Sequence, residues 1–264
     1  MYAEVKNVER LTPSMMRVVL SGGDLDQFEA SAATDSYINA RFLPVDSPVS
    51  VPFEPEDLEG VDPDHRPRPR RFTVRRWEPE SQTLTIDFVA HGDEGYAGTW
   101  AKRAKPGDRL QFTGPNGSFQ PSDTVDWHLF VGDESAIPAI AATLESLPAG
   151  SAAMVFAVVD SPDHELELQS AADITLTWLY RDSSTDPETL LPQAVAAATF
   201  LEGTFDVFVH GEAGEVRAVR KHLVADRGVD PDTKSISAYW RRTYTDEAWR
   251  EVKREWIAEQ AADV

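Results

Sequence analysis

The residues with the clearest capacity for chemistry are six arginines, Arg66, Arg68, Arg70, Arg71, Arg75 and Arg76, packed into eleven positions of an otherwise acidic chain. Planar guanidinium groups match carboxylate and phosphate geometry through paired hydrogen bonds, so such a run beside a strand start is a candidate anion site. The plainer reading is a solvated loop that balances neighbouring acids. Order within the run is informative, because strand alternation puts Arg70 and Phe72 on one face and Arg71 and Thr73 on the other. An arginine, an aromatic ring and a hydroxyl in succession suit a diphosphate, a flat heterocycle and a ring nitrogen.

Three further stretches could contact a ligand. In Asp87–Ala101, glycines at 92, 95 and 98 lead into a short helical segment, a turn that offers backbone N–H groups to a pyrophosphate or simply forms a loop. Gly132-Asp133-Glu134-Ser135 is a strand-to-helix turn of the kind that meets nucleotides in open α/β sheets, but it lacks GxGxxG and its two acids disfavour a tightly held phosphate. It serves equally as a sharp structural turn. Arg181, after the next strands, either meets an adenosine phosphate or ribose or is a surface charge, and Tyr239-Trp240-Arg241 either packs in a core or shields a ring. The six histidines show no metal-ligand spacing, and no Gly-x-Ser-x-Gly elbow or Walker loop occurs.

Composition narrows the class. The chain has 264 residues and no cysteine, which excludes disulfides, thiol nucleophiles and cysteine-ligated clusters, and suits the cytoplasm. A net charge of −20 argues against nucleic acid and anionic lipid as partners. No signal peptide or membrane-length apolar run is visible.

Elements that could position these residues fall into two textures. Ala3–Arg10, Met15–Leu20, Tyr37–Phe42, Phe72–Trp77, Thr83–Val89 and Arg109–Phe112 read as strands separated by Gly, Pro and Asp turns, with a helical stretch near Thr99–Ala104 and an exposed loop over Val51–Pro69. This spacing predicts a small antiparallel barrel. Beyond Gly117 the pattern alternates, with strands at Trp127–Val131, Ala152–Val159, Ile174–Tyr180, Phe205–His210 and Ser235–Tyr239 and helices at Ser135–Leu147, Glu188–Ala198 and Glu212–Val224. Alternation predicts a parallel sheet covered on both faces. A charged helix over Thr245–Ala262, with Trp249, Val252 and Trp256 as its apolar stripe, closes the chain. The expected domains are residues 1–120 and 121–264.

Arg70-x-Phe72-Thr73 resembles the Arg-x-Tyr-Thr flavin motif of the ferredoxin-reductase superfamily, with Phe for Tyr. Asp87–Ala101 resembles the Asp-Phe-Val-x-His-Gly-x-x-Gly-Pro-Ala-Ser-x-Trp-Ala segment of siderophore-interacting proteins, with Tyr96 for Pro and Gly98 for Ser. Gly132–Ile140 is similar to that family's Gly-Asp-Glu-Thr-Ala-Leu-Pro-Ala-Ile, and Gly211-Glu212-Ala213 and Ala238-Tyr239-Trp240-Arg241 follow in its order, with Ala238 and Thr243 where Gly-Tyr-Trp-Arg-x-Gly has glycines. The resemblance implies an FAD-binding antiparallel β-barrel of the ferredoxin-reductase type followed by an NAD(P)H-binding-like α/β domain with a parallel sheet.

Carried over position by position, the resemblance assigns Arg70 and Arg71 to FAD, with Arg70 on the diphosphate, Phe72 on the isoalloxazine and Thr73 at its hydride-accepting edge. It places Asp87, Val89 and His91 near the ribityl and adenine parts and Gly95, Ala97, Thr99 and Trp100 around the pyrophosphate. With Gly98 in place of serine, one hydroxyl contact is lost or moved to Thr99. Tyr239 and Trp240 would shield the flavin, and Gly132, Asp133, Glu134, Ser135 and Arg181 would meet NADPH or NADH. Relatives often have Lys at the position of Asn39, so Arg41, Arg75 and Arg241 are the candidate substrate contacts. The implied activity is reduction of a ferric siderophore or other ferric chelate, releasing Fe(II), by a cytoplasmic monomer that takes electrons from NAD(P)H or a ferredoxin. No resident metal and no catalytic side chain are expected, since the flavin performs the chemistry. Two alternatives stay open: an NAD(P)H oxidoreductase with another acceptor, and a siderophore binder without redox activity.

Overall fold

A computed structural model describes residues 1–264 apart from His91, Asp93, Glu94, Asp232, Thr233, Ala262 and Val264. The chain divides into two compact units, Met1–Gln120 and Pro121–Val264.

In the first unit, alternating apolar residues build β1 (Tyr2–Thr12), β2 (Met15–Ser21), β3 (Tyr37–Phe42), β4 (Arg68–Thr73), β5 (Arg76–Glu78), β6 (Thr83–Val89) and β7 (Arg109–Asn116), with the short helix α1 (Ala97–Arg103) between the last two. They form one antiparallel sheet in the order β4-β3-β7-β1-β2-β6-β5. Ile38, Ala40 and Phe42 of β3 and Leu84, Ile86 and Phe88 of β6 point to the shared core, as a period of two requires. The two strands at the ends of this order, β4 and β5, are joined by only Val74 and Arg75, so the sheet must curl until its ends meet. Across that closure the Val74 N–H donates to the Ser36 carbonyl at 2.7 Å and the Arg75 N–H to the Thr85 carbonyl at 2.9 Å. The single strand expected over Phe72–Trp77 is therefore two strands with different neighbours. The segment expected as an exposed loop between β3 and β4 contains two short 3₁₀ turns, Pro55–Leu58 and Pro63–His65, and buries Phe53.

The second unit contains β8 (Trp127–Asp133), α2 (Ile137–Ser146), β9 (Ala152–Val159), β10 (Asp173–Tyr180), α3 (Leu190–Ala197), β11 (Phe205–Glu212), α4 (Ala213–Arg227), β12 (Ser235–Trp240) and α5 (Asp246–Ala261). Its five strands are all parallel, in the order β10-β9-β8-β11-β12. Residues of β8 are buried from end to end, which explains its continuous apolar run in place of alternation. The order changes direction between β8 and β11, so the carboxyl ends of these two strands flank the crevice where such sheets bind ligands. Trp249 and Trp256 of α5 are buried against Ala213 and Ala238, so the expected stripe is a packing face. Among the described residues no helix is long and apolar enough to cross a membrane.

Candidate functional site

In the first unit, β4 and α1 bring the cationic and aromatic candidates to one face. The guanidinium groups of Arg68 and Arg70 each lie 5.7 Å from the centre of the Tyr96 ring, at the entrance to α1. Phe72 packs on Phe88 at 4.4 Å and on Phe42 at 5.9 Å between ring centres. Trp100 packs on the same two rings at 5.7 and 5.6 Å. Phe72 and Trp100 are half-buried, so each ring is held by the core and keeps an accessible part. Gly95 adopts φ +83°, and a Cβ there would meet nothing within 4 Å, which leaves its backbone open to close approach. Arginines, half-open rings and a bare glycine turn thus lie together.

Other predicted contacts are engaged elsewhere. Arg71 is exposed on the opposite face of β4, 5.4 Å above the Tyr37 ring, and Thr73 is buried on that face with Tyr37 as its register partner. Asp87 is only 4% exposed and accepts two hydrogen bonds from Arg17 at 2.7 Å each, with Arg75 Nε 3.9 Å away. That fixes Arg75 beside a structural carboxylate. The Thr99 hydroxyl is turned back on its own helix, 2.5 Å from the Gly95 carbonyl and 3.1 Å from that of Tyr96. A Cβ on Gly98 would lie 3.1 Å from both the Val89 carbonyl oxygen and Ala90 Cα, so close packing of α1 on the end of β6 explains the absent serine. Ala97 is buried under the same helix. His91 lies outside the described residues. Arg41 projects from the face of β3 opposite to Ala40 and Phe42, whose register partners are Arg70 and Arg68, and so stands apart from that cluster.

In the second unit, the expected nucleotide contacts form a closed network. Asp133, 1% exposed, accepts hydrogen bonds from the Ser135 N–H at 2.8 Å, the Ser135 hydroxyl at 2.5 Å, the Glu212 N–H at 2.8 Å and the Trp240 indole at 2.7 Å. Glu134 grips Arg181 through two hydrogen bonds of 2.6 and 2.9 Å, and Asp160 adds a third at 2.9 Å. Burial opposes the guanidinium charge, but the Glu134 hydrogen bond and field outweigh it and push the Arg181 pKa up. A Cβ on Gly132 would lie 2.5 Å from the Ala136 Cβ and 2.7 Å from the His210 carbonyl, so this glycine accommodates the chain itself.

Sequence reasoning missed the acid one turn into α4. Glu215 is 1% exposed and accepts from Arg242 at 3.0 Å through Oε1, while its buried Oε2 has no partner among the described residues. Burial, reinforced by the Asp133 charge, raises its pKa to about 8. Glu212, three residues earlier, caps α4 by accepting the Gly214 and Glu215 N–H groups at 2.6 and 3.1 Å. The Glu-Ala-Gly-Glu spacing at a helix start was the available signal. At the end of β11, burial depresses the His210 pKa to about 3, so its ring is neutral, and it lies 4.6 Å from the Tyr239 ring. The Arg241 guanidinium lies 4.7 Å from the Tyr244 ring. Among the described residues, no group of three His, Asp or Glu could hold a metal ion.

An antiparallel curled sheet followed by a parallel α/β sheet is the architecture of ferredoxin reductases. A Plasmodium falciparum ferredoxin-NADP+ reductase matches it with a TM-score of 0.65 over 90% of this chain and 95% of that one, at 11% identity, a likeness of fold alone. Residues 4–119 match the family model of the siderophore-interacting FAD-binding domain and residues 125–243 that of the siderophore-interacting protein, so the chain belongs to the siderophore-interacting protein family. An uncharacterized Mycobacterium tuberculosis protein is 39% identical over 98% of this chain and 96% of its own length. The ferric vibriobactin reductase of Vibrio cholerae is 32% identical over 91% of this chain and 89% of its own. The NADPH-dependent ferric-chelate reductase of Escherichia coli is 30% identical over 89% and 91%. Among solved structures, the siderophore-interacting protein SipS of Aeromonas hydrophila has a TM-score of 0.83 at 26% identity, covering 98% of both chains.

Proposed function

We propose that the protein is an FAD-dependent ferric-siderophore reductase. One observation carries the reading. Arg68 and Arg70 converge on Tyr96 beside the half-buried rings of Phe72 and Trp100, a donor set whose charge and shape fit a diphosphate joined to a flat heterocycle. Held there, FAD would supply the redox chemistry, the acceptance of an electron pair from a reduced nucleotide and its release as single electrons to two ferric ions, whose weaker hold by oxygen ligands as Fe(II) would free the metal.

The chain's own residues bind and orient. Arg70 holds the diphosphate, Arg71 is turned to the opposite face of β4, and the open Gly95 turn, Ala97 and Thr99 offer backbone to the same group. Phe72, backed by Phe42 and Phe88, cannot yield when a flat ring rests on it. Val89 and Trp100 border the dinucleotide. Arg241 is the substrate contact for an anionic chelate, and no side chain need move a proton in an outer-sphere electron transfer. NADPH is the donor, as named for the Escherichia coli relative. Its phosphates are not gripped by Asp133 and Glu134, whose carboxylates already accept from Ser135, Glu212, Trp240 and Arg181. The donor accordingly binds weakly and in passing. The protein works as a monomer in the cytoplasm, where reduced nucleotides are found.

The test is an absorbance spectrum of the purified protein with added FAD, followed by anaerobic NADPH and then a ferric siderophore. An oxidised flavin band, its bleaching and its return with stoichiometric Fe(II) are expected. A protein that takes up no FAD is no reductase; one whose band NADPH leaves intact has another donor; one reoxidised only by oxygen has another acceptor.

A further inference from the structure

The first unit holds a second cationic hollow on the other face of β3. The segment between β3 and β4 folds back against β3 and β7, and Gln111 pins it there. Its Oε1 accepts the Phe53 N–H at 2.9 Å and its Nε2 donates to the Phe53 carbonyl at 2.8 Å. Phe53 is 3% exposed, so the strap is anchored by an apolar side chain as well. Beneath it lies a cavity of about 510 Å³ whose lining includes Arg41, Arg66, Gln111, Phe53 and Leu58 together with the carboxylates Glu54 and Glu59. That volume is in the range of small-molecule sites.

Two guanidinium groups face this space. Arg41 is half-buried, beside its register partner Gln111, and has no hydrogen-bond, ion-pair or ring partner among the described residues. Arg66 uses only Nε, which donates to the Val61 carbonyl at 2.9 Å. A partly buried, unpaired guanidinium is costly unless something meets its N–H groups. The nearest acids do not. Glu54 and Asp57 are occupied with each other's backbone in a capping box, and the exposed Glu59 carboxylate pairs with nothing among the described residues. These carboxylates repel a multiply charged anion more than a monoanion.

We infer that this cavity binds a small organic monoanion, its carboxylate on Arg41 and Arg66 and its apolar body against Phe53 and Leu58. The site is separate from the flavin cluster, since Arg41 projects from β3 on the face opposite to the residues paired with Arg70 and Arg68. Calorimetric titration of the FAD-loaded full chain with benzoate, and with inorganic phosphate for contrast, tests this. Saturable benzoate binding at least tenfold tighter than phosphate is expected, weakened tenfold or more by Arg41→Met and severalfold by Arg66→Ala. Flavin absorbance stays unchanged on benzoate addition, and binding persists after FAD is removed. Absence of saturable binding, phosphate binding as tightly as benzoate, wild-type affinity in both variants, or benzoate binding that needs and perturbs the flavin overturns the inference. None of these outcomes bears on ferric reduction, so the two readings fail separately.

Discussion

The indole N–H of Trp240 donates to Asp133 Oδ2 at 2.7 Å, joining residues 107 positions apart. The same oxygen accepts the Glu212 N–H, so one carboxylate ties the ends of β8, β11 and β12 at the point where the strand order reverses. Gly211 follows from this arrangement, because a Cβ there would lie 2.6 Å from that oxygen. A buried carboxylate is tolerable only when its lone pairs are met, and here four donors meet them. The turn that looks in sequence like a place for a nucleotide is filled by the protein's own acid.

Asp133→Asn should therefore destabilise the second unit. The amide replaces an oxygen that accepts two donors with an NH₂ group that opposes them, or leaves the Ser135 donors facing it instead. Leaving buried donors unmet costs about 2–3 kcal/mol here, against about 1 kcal/mol for Ser135→Ala. Urea unfolding followed by tryptophan fluorescence compares the two. Equal midpoints for Asp133→Asn and wild type would remove the carboxylate from this role.

Glu215 gives the stability a pH dependence of definite sign. Its folded pKa is raised from 4.5 to about 8, by burial first and the Asp133 charge second. The folded state thus holds this proton more tightly than the unfolded chain does. The associated stability is complete below pH 4.5 and is lost as pH rises toward 8, with a limiting slope of about 1.4 kcal/mol per pH unit. Glu215→Gln keeps an oxygen for Arg242 and removes the titration. Its Tm should fall less than that of wild type between pH 5 and 8, and parallel profiles would show that Glu215 does not carry the effect.

Period and punctuation made most of the fold legible. Short strands separated by Gly, Pro and Asp turns marked the curled antiparallel sheet, and strands alternating with helices beyond Gly117 marked the parallel one. The break at Val74-Arg75 was read through, because its one sign is a slip of the apolar period at Arg75-Arg76, between Val74 and Trp77, and only the closure of the sheet assigns the two halves to different neighbours. At the site, strand alternation correctly put Arg70 with Phe72 and opposite Arg71. The partners of Asp87 and Arg181 were hidden, since Arg17 is 70 and Glu134 is 47 residues away in sequence. Residue type alone does not say whether a charge faces a ligand or another part of the chain.

Arg70 separates a binding strand from a solvated run of charge. Arg70→Ala should weaken FAD at least tenfold by removing a charge-assisted pair, and Arg70→Lys should recover part of that loss, because an ammonium keeps the charge but not the fork. Quenching of flavin fluorescence on titration with apoprotein gives both constants. Wild-type affinity in Arg70→Ala would return the arginine run to the status of an exposed loop.

Thr243 occupies a backbone conformation better suited to glycine. It has φ +66° and is exposed, three residues beyond Trp240, where the resemblance places the second glycine of Gly-Tyr-Trp-Arg-x-Gly. A β-branched residue there costs roughly 1–2 kcal/mol in contacts between Cβ and the backbone. Glycine relieves that strain and gives back about 0.5–1 kcal/mol through the greater freedom of its unfolded chain. Thr243→Gly should then stabilise the protein by about 0.5–1 kcal/mol, a rise in Tm of roughly 1–4 °C for a chain of this size. Differential scanning calorimetry at one pH measures it. A lower Tm would mean that the threonine side chain contributes a contact outweighing the strain.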